Sequence, residues 1–417
     1  MRAMKDSEVD WIGEIPIQWQ LVPTKRVFKG KKQIAGANSE MYERLALTMN
    51  GVVKRNKDDN EGLQPEQFDS YQILESNELV FKLIDLQNIR TSRVGLSPYT
   101  GIVSPAYIIL TNTKSDNRFY YYWYFDMYNR CVFNRMGGDG VRSALNLKDV
   151  LEIPIPMISD AEQQRIAEFL DRKCAEVDEM IALQEQIIEE LKAYKQSVIT
   201  EAVTKGLNPA APMRDSGIEW IGSIPEHWEV MPHKRVMHKI KEIQEVYNGE
   251  KILSLTMRGV IVRDLDGGGK MPTTFDGYQK VYPNNLLQCL FDIDVTPRCV
   301  GLIKDEGLTS PAYSQFELFA NGYAPYYDYL LRYMDDIKAM LHLSKNLRSS
   351  LTETDFGAIP TCVPPITEQQ AIAEKLDDKC ADIDSLIQTK QSKIDSLNEY
   401  KKSIIYEYVT GKREVNE

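Results

Sequence analysis

The sequence predicts an α+β protein. Two similar mixed α/β domains each lead into a long helix, and the two helices pair as an antiparallel coiled coil with pseudo-twofold symmetry. Three observations predict it. Apolar residues recur at heptad spacing in two stretches, nearly the whole chain is a repeat displaced by 206 to 209 residues, and each repeat holds short β-rich runs bounded by Gly, Pro and Asn.

The helices follow from the heptads. Ile166, Leu170, Cys174, Val177, Ile181, Gln184, Ile188, Leu191, Lys195, Val198 and Ala202 step by four or three residues, alternating from Leu170 onward, and nine of the eleven are apolar. Displaced by 206, the series returns as Ile372, Leu376, Cys380, Ile383, Ile387, Lys390, Ile394, Leu397, Lys401, Ile404 and Tyr408. A 3.5-residue period held this long specifies a helix that supercoils with a partner. At 1.5 Å per residue each helix is roughly 65 Å long, too long to bury its stripe inside one compact domain. The two helices therefore lie on each other. Gln184 and Lys390, and Lys195 and Lys401, occupy equivalent seam positions; either they fix register or their long side chains reach solvent from a partly open seam.

The repeat orders the rest. Asp10-Trp-Ile-Gly-Glu-Ile-Pro-Ile-Gln-Trp19 returns as Glu219-Trp-Ile-Gly-Ser-Ile-Pro-Glu-His-Trp228, Ser104-Pro-Ala-Tyr107 as Ser310-Pro-Ala-Tyr313, and Glu162-Gln-Gln164 as Glu368-Gln-Gln370. This divides the chain into a first domain at 1–157, a long helix at 158–206, a linker at 207–214, a second domain at 215–364 and a second long helix at 365–412. Within the domains, Glu78 to Leu83, Gly101 to Leu110, Leu286 to Phe291 and Gly307 to Leu318 read as strands. Arg118 to Asn129 and Tyr326 to His342 read as helices, and the aromatic run Tyr120 to Tyr124 reads as core filling, with stacking on bases as the alternative. Ile153-Pro-Ile-Pro156 and Ile359-Pro360 are extended, since a residue before proline avoids the α region. Asp160 or Ser159 caps the first long helix and Thr367 the second.

Composition narrows the class. The chain is 43% hydrophobic and 27% charged, with no stretch near the ~18 uninterrupted apolar residues of a membrane span. The first residues carry Asp6, Glu8 and Asp10 and no apolar signal region, so a cytoplasmic location and no membrane partner are expected. Six cysteines without a CxxC pair are read as reduced, buried thiols. Four histidines without zinc spacing suggest no metal site. Net charge is −11, but the two helical stretches hold 20 acids against 13 bases, leaving the remainder only −4. Total charge therefore does not exclude local basic faces.

Taken together, the WIGxIPxxW opening, the SPAY segment, the IPxP run into EQQxIAxxLDxKC and the YKxSxIxExVT helix end resemble the specificity subunit of Type I restriction–modification systems. The resemblance runs through both halves. It implies a sequence-specific DNA-recognition subunit whose two target-recognition domains each read one half of a bipartite site. It also implies that the coiled coil sets the spacer and docks two methyltransferase subunits, with restriction/translocase subunits joining. Double-stranded DNA is then the ligand. S-adenosylmethionine, ATP and magnesium belong to the partners, and no cofactor is expected in this chain. Two alternatives stay open: the recognition subunit of a related system with a fused methyltransferase–nuclease partner, and a coiled-coil structural adaptor.

The duplication also sorts residues. Groups that position the DNA backbone should be shared between copies, and groups that read bases should differ. Shared cations are Lys25/Lys234, Arg26/Arg235, Arg55/Arg263 and Arg142/Arg348. Divergent base-reading candidates are Lys54, Asn56, Lys57, Arg90 and Arg93 in the first domain and Arg258, Lys270 and Arg298 in the second, because Arg reads guanine and Asn adenine in the major groove. A solvated surface charge is the plain alternative for each.

No enzyme is expected. The chain has no GxxxxGK[ST] loop, no Asn/Asp-Pro-Pro-aromatic tetrapeptide of an adenine methyltransferase, and no evident arrangement of paired carboxylates and lysine for a nuclease. Ser104 and Ser310 lack a placed histidine, and Asp264-Leu-Asp-Gly-Gly-Gly269 lacks the later ligands of a calcium loop.

Overall fold

The computed structural model describes residues 2–49, 51–57, 67–86, 93–114, 116–137, 144–265, 272–296, 298–343 and 349–415. The chain divides into two compact units, Met1–Glu185 with Ser392–Glu417, and Gln186–Gln391. Each unit therefore holds one domain, the first half of the long helix that follows it, and the second half of the other long helix. The helices run Asp160–Lys205 and Ile366–Val409.

In the first unit the opening segment folds back as an antiparallel pair, Met4–Asp6 with Glu14–Pro16. The next strand, Gln20–Pro23, pairs with Pro154–Met157, the Ile-Pro segment that leads into the long helix. Between them stand two four-stranded sheets. One has the order Gly51–Arg55, Arg44–Thr48, Gly101–Val103, Gln72–Leu74, and the other Lys29–Lys31, Ile108–Thr111, Leu79–Phe81, Val94–Leu96. The aromatic helix Arg118–Asn129 covers the second sheet through the T-shaped pair of Phe81 and Tyr124, with ring centroids 5.0 Å apart. Its Tyr120, Trp123 and Tyr124 are at most 1% exposed, so the run fills a core as expected. That core continues into Ile166, Leu170 and Cys174 of the first long helix and Ile404, Ile405 and Val409 of the second. Two antiparallel helix segments thus form one wall of the domain core, which the hydrophobic gain from removing both stripes from water accounts for.

The second unit repeats the plan. Met213–Asp215 pairs with Ser223–Pro225, and Glu229–Pro232 with Pro360–Val363. A four-stranded sheet has the order Met237–Ile240, Ser314–Leu318, Leu286–Gln288, Val300–Leu302. The other sheet is split into a three-stranded part and the hairpin Leu253–Thr256/Gly259–Val262, which meets Leu308 through a single parallel bridge at Ile252. The core joins Val203 of the first long helix to Ile372, Ala373 and Leu376 of the second.

Of the expected seam, Leu170, Val177, Ile188, Leu376, Ile383, Ile394, Leu397 and Ile404 are buried. Ile181, Leu191, Val198 and Ile387 are only half-buried. Three expectations need correction. Gly101 to Leu110 and Gly307 to Leu318 are not single strands: each breaks at Ser-Pro, where proline offers no ladder donor and the Tyr107 and Tyr313 amides donate back to the Ser104 and Ser310 carbonyls at 3.1 and 3.2 Å. Tyr326 to His342 is two helices, Ala324–Asp336 and Ala339–Leu343, separated where Lys338 adopts φ +52°. Ser159 caps the first long helix, its Oγ accepting from the Glu162 amide at 3.3 Å. Thr367, however, lies inside the first turn of the second, whose Glu368 and Gln369 amides donate to the Pro365 carbonyl. No helix among the described residues is long and apolar enough to cross a membrane.

Candidate nucleic-acid interface

Two groups of cations are presented by defined elements. The first is the shared pair. Pro23 ends the opening strand, and a 3-10 turn, Thr24–Arg26, follows. Thr24 is fully buried; its hydroxyl donates to the Ile153 carbonyl at 2.8 Å and meets the Tyr124 hydroxyl at 2.6 Å. Anchoring Thr24 inward leaves Lys25 and Arg26 facing solvent. Lys25 pairs with Glu152 at 2.6 Å, both about half exposed, an arrangement worth little to stability. In the second unit the turn is His233–Arg235, and Lys234 and Arg235 again face solvent. His233 fills the place of Thr24. Its ring stacks on Phe356 at 4.7 Å, with Nδ1 3.3 Å from the Phe356 carbonyl. Burial pushes its pKa down to about 4.

The second group lies on the hairpin Arg44–Thr48/Gly51–Arg55. Arg44 stands directly across from Arg55, and Leu45 from Lys54. The hairpin borders an open cleft of about 930 Å³, into which Arg44, Lys54, Arg55, Asn56, Lys57 and Phe68 contribute. Lys54 pairs with Glu43 at 2.6 Å and lies 4.9 Å from the Tyr99 ring; its hydrogen bond to Glu43 raises its pKa. Lys57 reaches Glu40 at 3.1 Å and the Ser39 carbonyl at 3.0 Å. Arg44 is 9% exposed, its guanidinium 5.6 Å from the Phe68 ring and Nη1 3.5 Å from the Asn56 carbonyl. In the second unit Arg258 is exposed in the hairpin turn, and the half-buried Arg263 donates its amide to the Ile252 carbonyl at 2.7 Å. Both turns close alike, Thr48 and Thr256 each donating to the carbonyl of Gly51 or Gly259 at 3.0 Å.

The structure thus brings Lys54, Arg55, Asn56 and Lys57 to one cleft. It places two other candidates differently from what base reading requires. Arg93 is 1% exposed, and its Nη2 donates to the Asp85 and Leu86 carbonyls at 3.2 and 3.4 Å, so it holds an interior turn. Arg298, with a side chain 15% exposed, is committed to Asp336 at 2.9 Å and Asp335 at 3.6 Å. In both cases the strand that follows is interior, and the arginine is drawn in with it. Arg90, Arg142, Lys270 and Arg348 lie outside the described residues. Arg44 was missed by sequence reasoning, because its counterpart Ile252 is apolar and the search for shared cations passes over it. Its place beside alternating Leu45 and Leu47 at the start of a hairpin was the available signal.

Residues 23–193 match the family described as the Type I restriction modification DNA specificity domain. The matched residues take in both four-stranded sheets of the first unit, the basic hairpin and most of the first long helix. Over 286 residues the chain is 27% identical to the Type I restriction enzyme MjaVIII specificity subunit of Methanocaldococcus jannaschii, covering 63% of this chain and 62% of that one. A putative Type I restriction enzyme MjaX specificity subunit of the same organism is 24% identical over 287 residues, 65% of this chain and 62% of its own length. The chain therefore spans less than two thirds of the relatives it matches. In fold it is similar, at a TM-score of 0.67 and 14% identity, to a chain from a structural study of complex assembly and conformational transition of the type I R-M system, covering 95% of this chain and 98% of that one. In sequence, residues 23–193 are thus similar to the DNA specificity domain of Type I restriction–modification systems.

Proposed function

We propose that this protein is the non-catalytic DNA-recognition subunit of a Type I restriction–modification complex, acting in the cytoplasm. Each domain reads one half of a bipartite site on double-stranded DNA. The long helices set the spacer and dock two methyltransferase subunits, while adenine methylation and ATP-dependent cleavage reside in partner chains. One observation carries the reading: the same hairpin stands in both units on the same framework, with shared Arg55 and Arg263, yet the residues around them differ. Lys54, Asn56 and Lys57 of the first unit are Val262, Asp264 and Leu265 in the second. A common scaffold with divergent polar groups suits two half-sites of different sequence. Lys25, Arg26, Lys234 and Arg235 are then backbone contacts, since a solvent-facing cation on a buried anchor is presented at little entropic cost.

The test is co-expression with the neighbouring methyltransferase subunit in a methylation-free host, followed by single-molecule mapping of methylated adenines. A bipartite motif with a fixed gap is the expected result. Inserting one heptad into each long helix should then lengthen the gap and keep both half-sites; a soluble complex that methylates nothing overturns the reading.

A further inference from the structure

We propose that Arg44 and Arg55 together seat one phosphodiester of the DNA backbone, a two-guanidinium site that the first domain has and the second lacks. This rests on the DNA-recognition reading.

Residues directly opposite in an antiparallel pair project from the same face with Cβ atoms about 5 Å apart, and like charges so placed repel. Arg44 and Arg55 are such a pair. The nearby carboxylates are engaged elsewhere: Glu43 holds Lys54, Glu40 holds Lys57, and Asp69 accepts from the Ser39 hydroxyl at 2.7 Å. Among the described residues neither arginine has an acidic partner. Arg44 is nearly buried, and a guanidinium withdrawn from water without an anion is costly. Phe68 below it fixes the direction of the fork. The Tyr107 phenol lies within electrostatic reach of both groups: burial raises its pKa, and Arg44 and Arg55 oppose the rise. The arrangement is therefore poised, with two donor forks lining an open cleft. Guanidinium groups bind phosphate oxygens through paired N–H bonds, and one phosphate relieves the repulsion between them.

The second unit supplies the contrast. Ile252 occupies the place of Arg44, bonded through its carbonyl to the Arg263 amide, and among the described residues Arg263 is the one cation that acts on the Tyr313 phenol. One domain accordingly holds a phosphate with two cations and the other with one.

The experiment uses the subunit in complex with its methyltransferase partner and a duplex carrying its mapped methylation site, with the dissociation constant measured across NaCl concentration. Each lost phosphate contact lowers the slope of log K against log[salt] by about 0.9. The Arg44→Gln/Arg55→Gln double variant removes the contact and should lower it by that amount, Arg44→Gln alone should weaken binding with little change of slope, Arg44→Lys should largely keep wild-type affinity, and the methylated motif should stay unchanged. Without DNA at low salt, Arg44→Gln should melt no lower than wild type, because a repulsion is removed. An unchanged slope in the double variant, or an altered motif with unchanged slope, overturns the site while DNA recognition stands. Failure of the wild-type complex to bind the duplex at any salt sinks the recognition reading itself. Should the double variant not fold, Arg44→Gln alone decides, and unchanged affinity in it at every salt concentration overturns the site.

Discussion

Nζ of Lys195, on the first long helix, lies 2.7 Å from both carboxylate oxygens of Asp384 on the second. Its equivalent Lys401 meets Asp178 in the same way, at 2.6 Å. The two seam lysines do not end in solvent; each crosses to a carboxylate on the facing antiparallel helix. The side chains remain partly exposed, 29% for Lys195 and 22% for Lys401, so screening limits each pair to roughly 0.5 kcal/mol. Lys195→Asp should lower urea stability by about 1 kcal/mol through new like-charge contact, and Lys195→Asp/Asp384→Lys should recover most of it. Failure of the double variant to recover would show that the pair contributes nothing specific.

His233 should make stability acid-sensitive. Its pKa is about 4 in the fold, below the 6.5 of an unfolded chain. The unfolded state therefore binds a proton first as pH falls. Stability is fully present above pH 6.5 and lost as pH approaches 4, amounting to about 2 kcal/mol by pH 5. His233→Thr, which installs the residue of the first repeat, should remove this component; the check is denaturant unfolding of both proteins at pH 7.5 and pH 5. Equal pH slopes would rule out His233 as the source.

Gly411 and Gly206 end the two long helices at φ +72° and +74°. A Cβ on Gly411 would stand 2.5 Å from Pro16 Cγ and 2.9 Å from Trp19 Cη2, whereas on Gly206 its nearest neighbour is the flexible Glu368 Oε1 at 2.8 Å and the Trp228 ring stands farther off at 3.1 Å. Both alanine variants carry the left-handed penalty of about 1–2 kcal/mol. Gly411→Ala should cost more, because rings and prolines cannot move aside, and differential scanning calorimetry of the two variants orders them.

Thiol chemistry should single out Cys131. It is exposed, while the other five cysteines are buried. Burial pushes Cys174 and Cys362 up to about 11 and Cys299 up to about 12, leaving them protonated at neutral pH. Mass spectrometry after brief iodoacetamide treatment should find one alkyl group, on Cys131; rapid labelling at Cys174 would mean the helix wall opens.

The expectation of six buried thiols failed at Cys131 because its left-handed φ of +55°, between two helices, places it at a turn that no local pattern marks. Local chemistry was otherwise readable. Heptad spacing located both long helices to within a few residues, since burial of a helix face acts through neighbours three and four positions apart. The aromatic helix Arg118–Asn129 emerged at its expected ends. The repeat separated shared from divergent cations without any other sequence.

By itself the sequence determined the doubled plan, the two helices and the cations on the turns at Lys25 and Lys234. Only the tertiary structure decided which of them meet. Trp19 packs beside Gly411 and Trp228 beside Gly206, joining each opening segment to the helix end of the other repeat. Arg44 was set opposite Arg55, and Arg93 was drawn inside. These outcomes depend on strand register and on cores assembled from distant parts of the chain. Periodicity carries the pattern along one element, but it holds no information about which element that face will find.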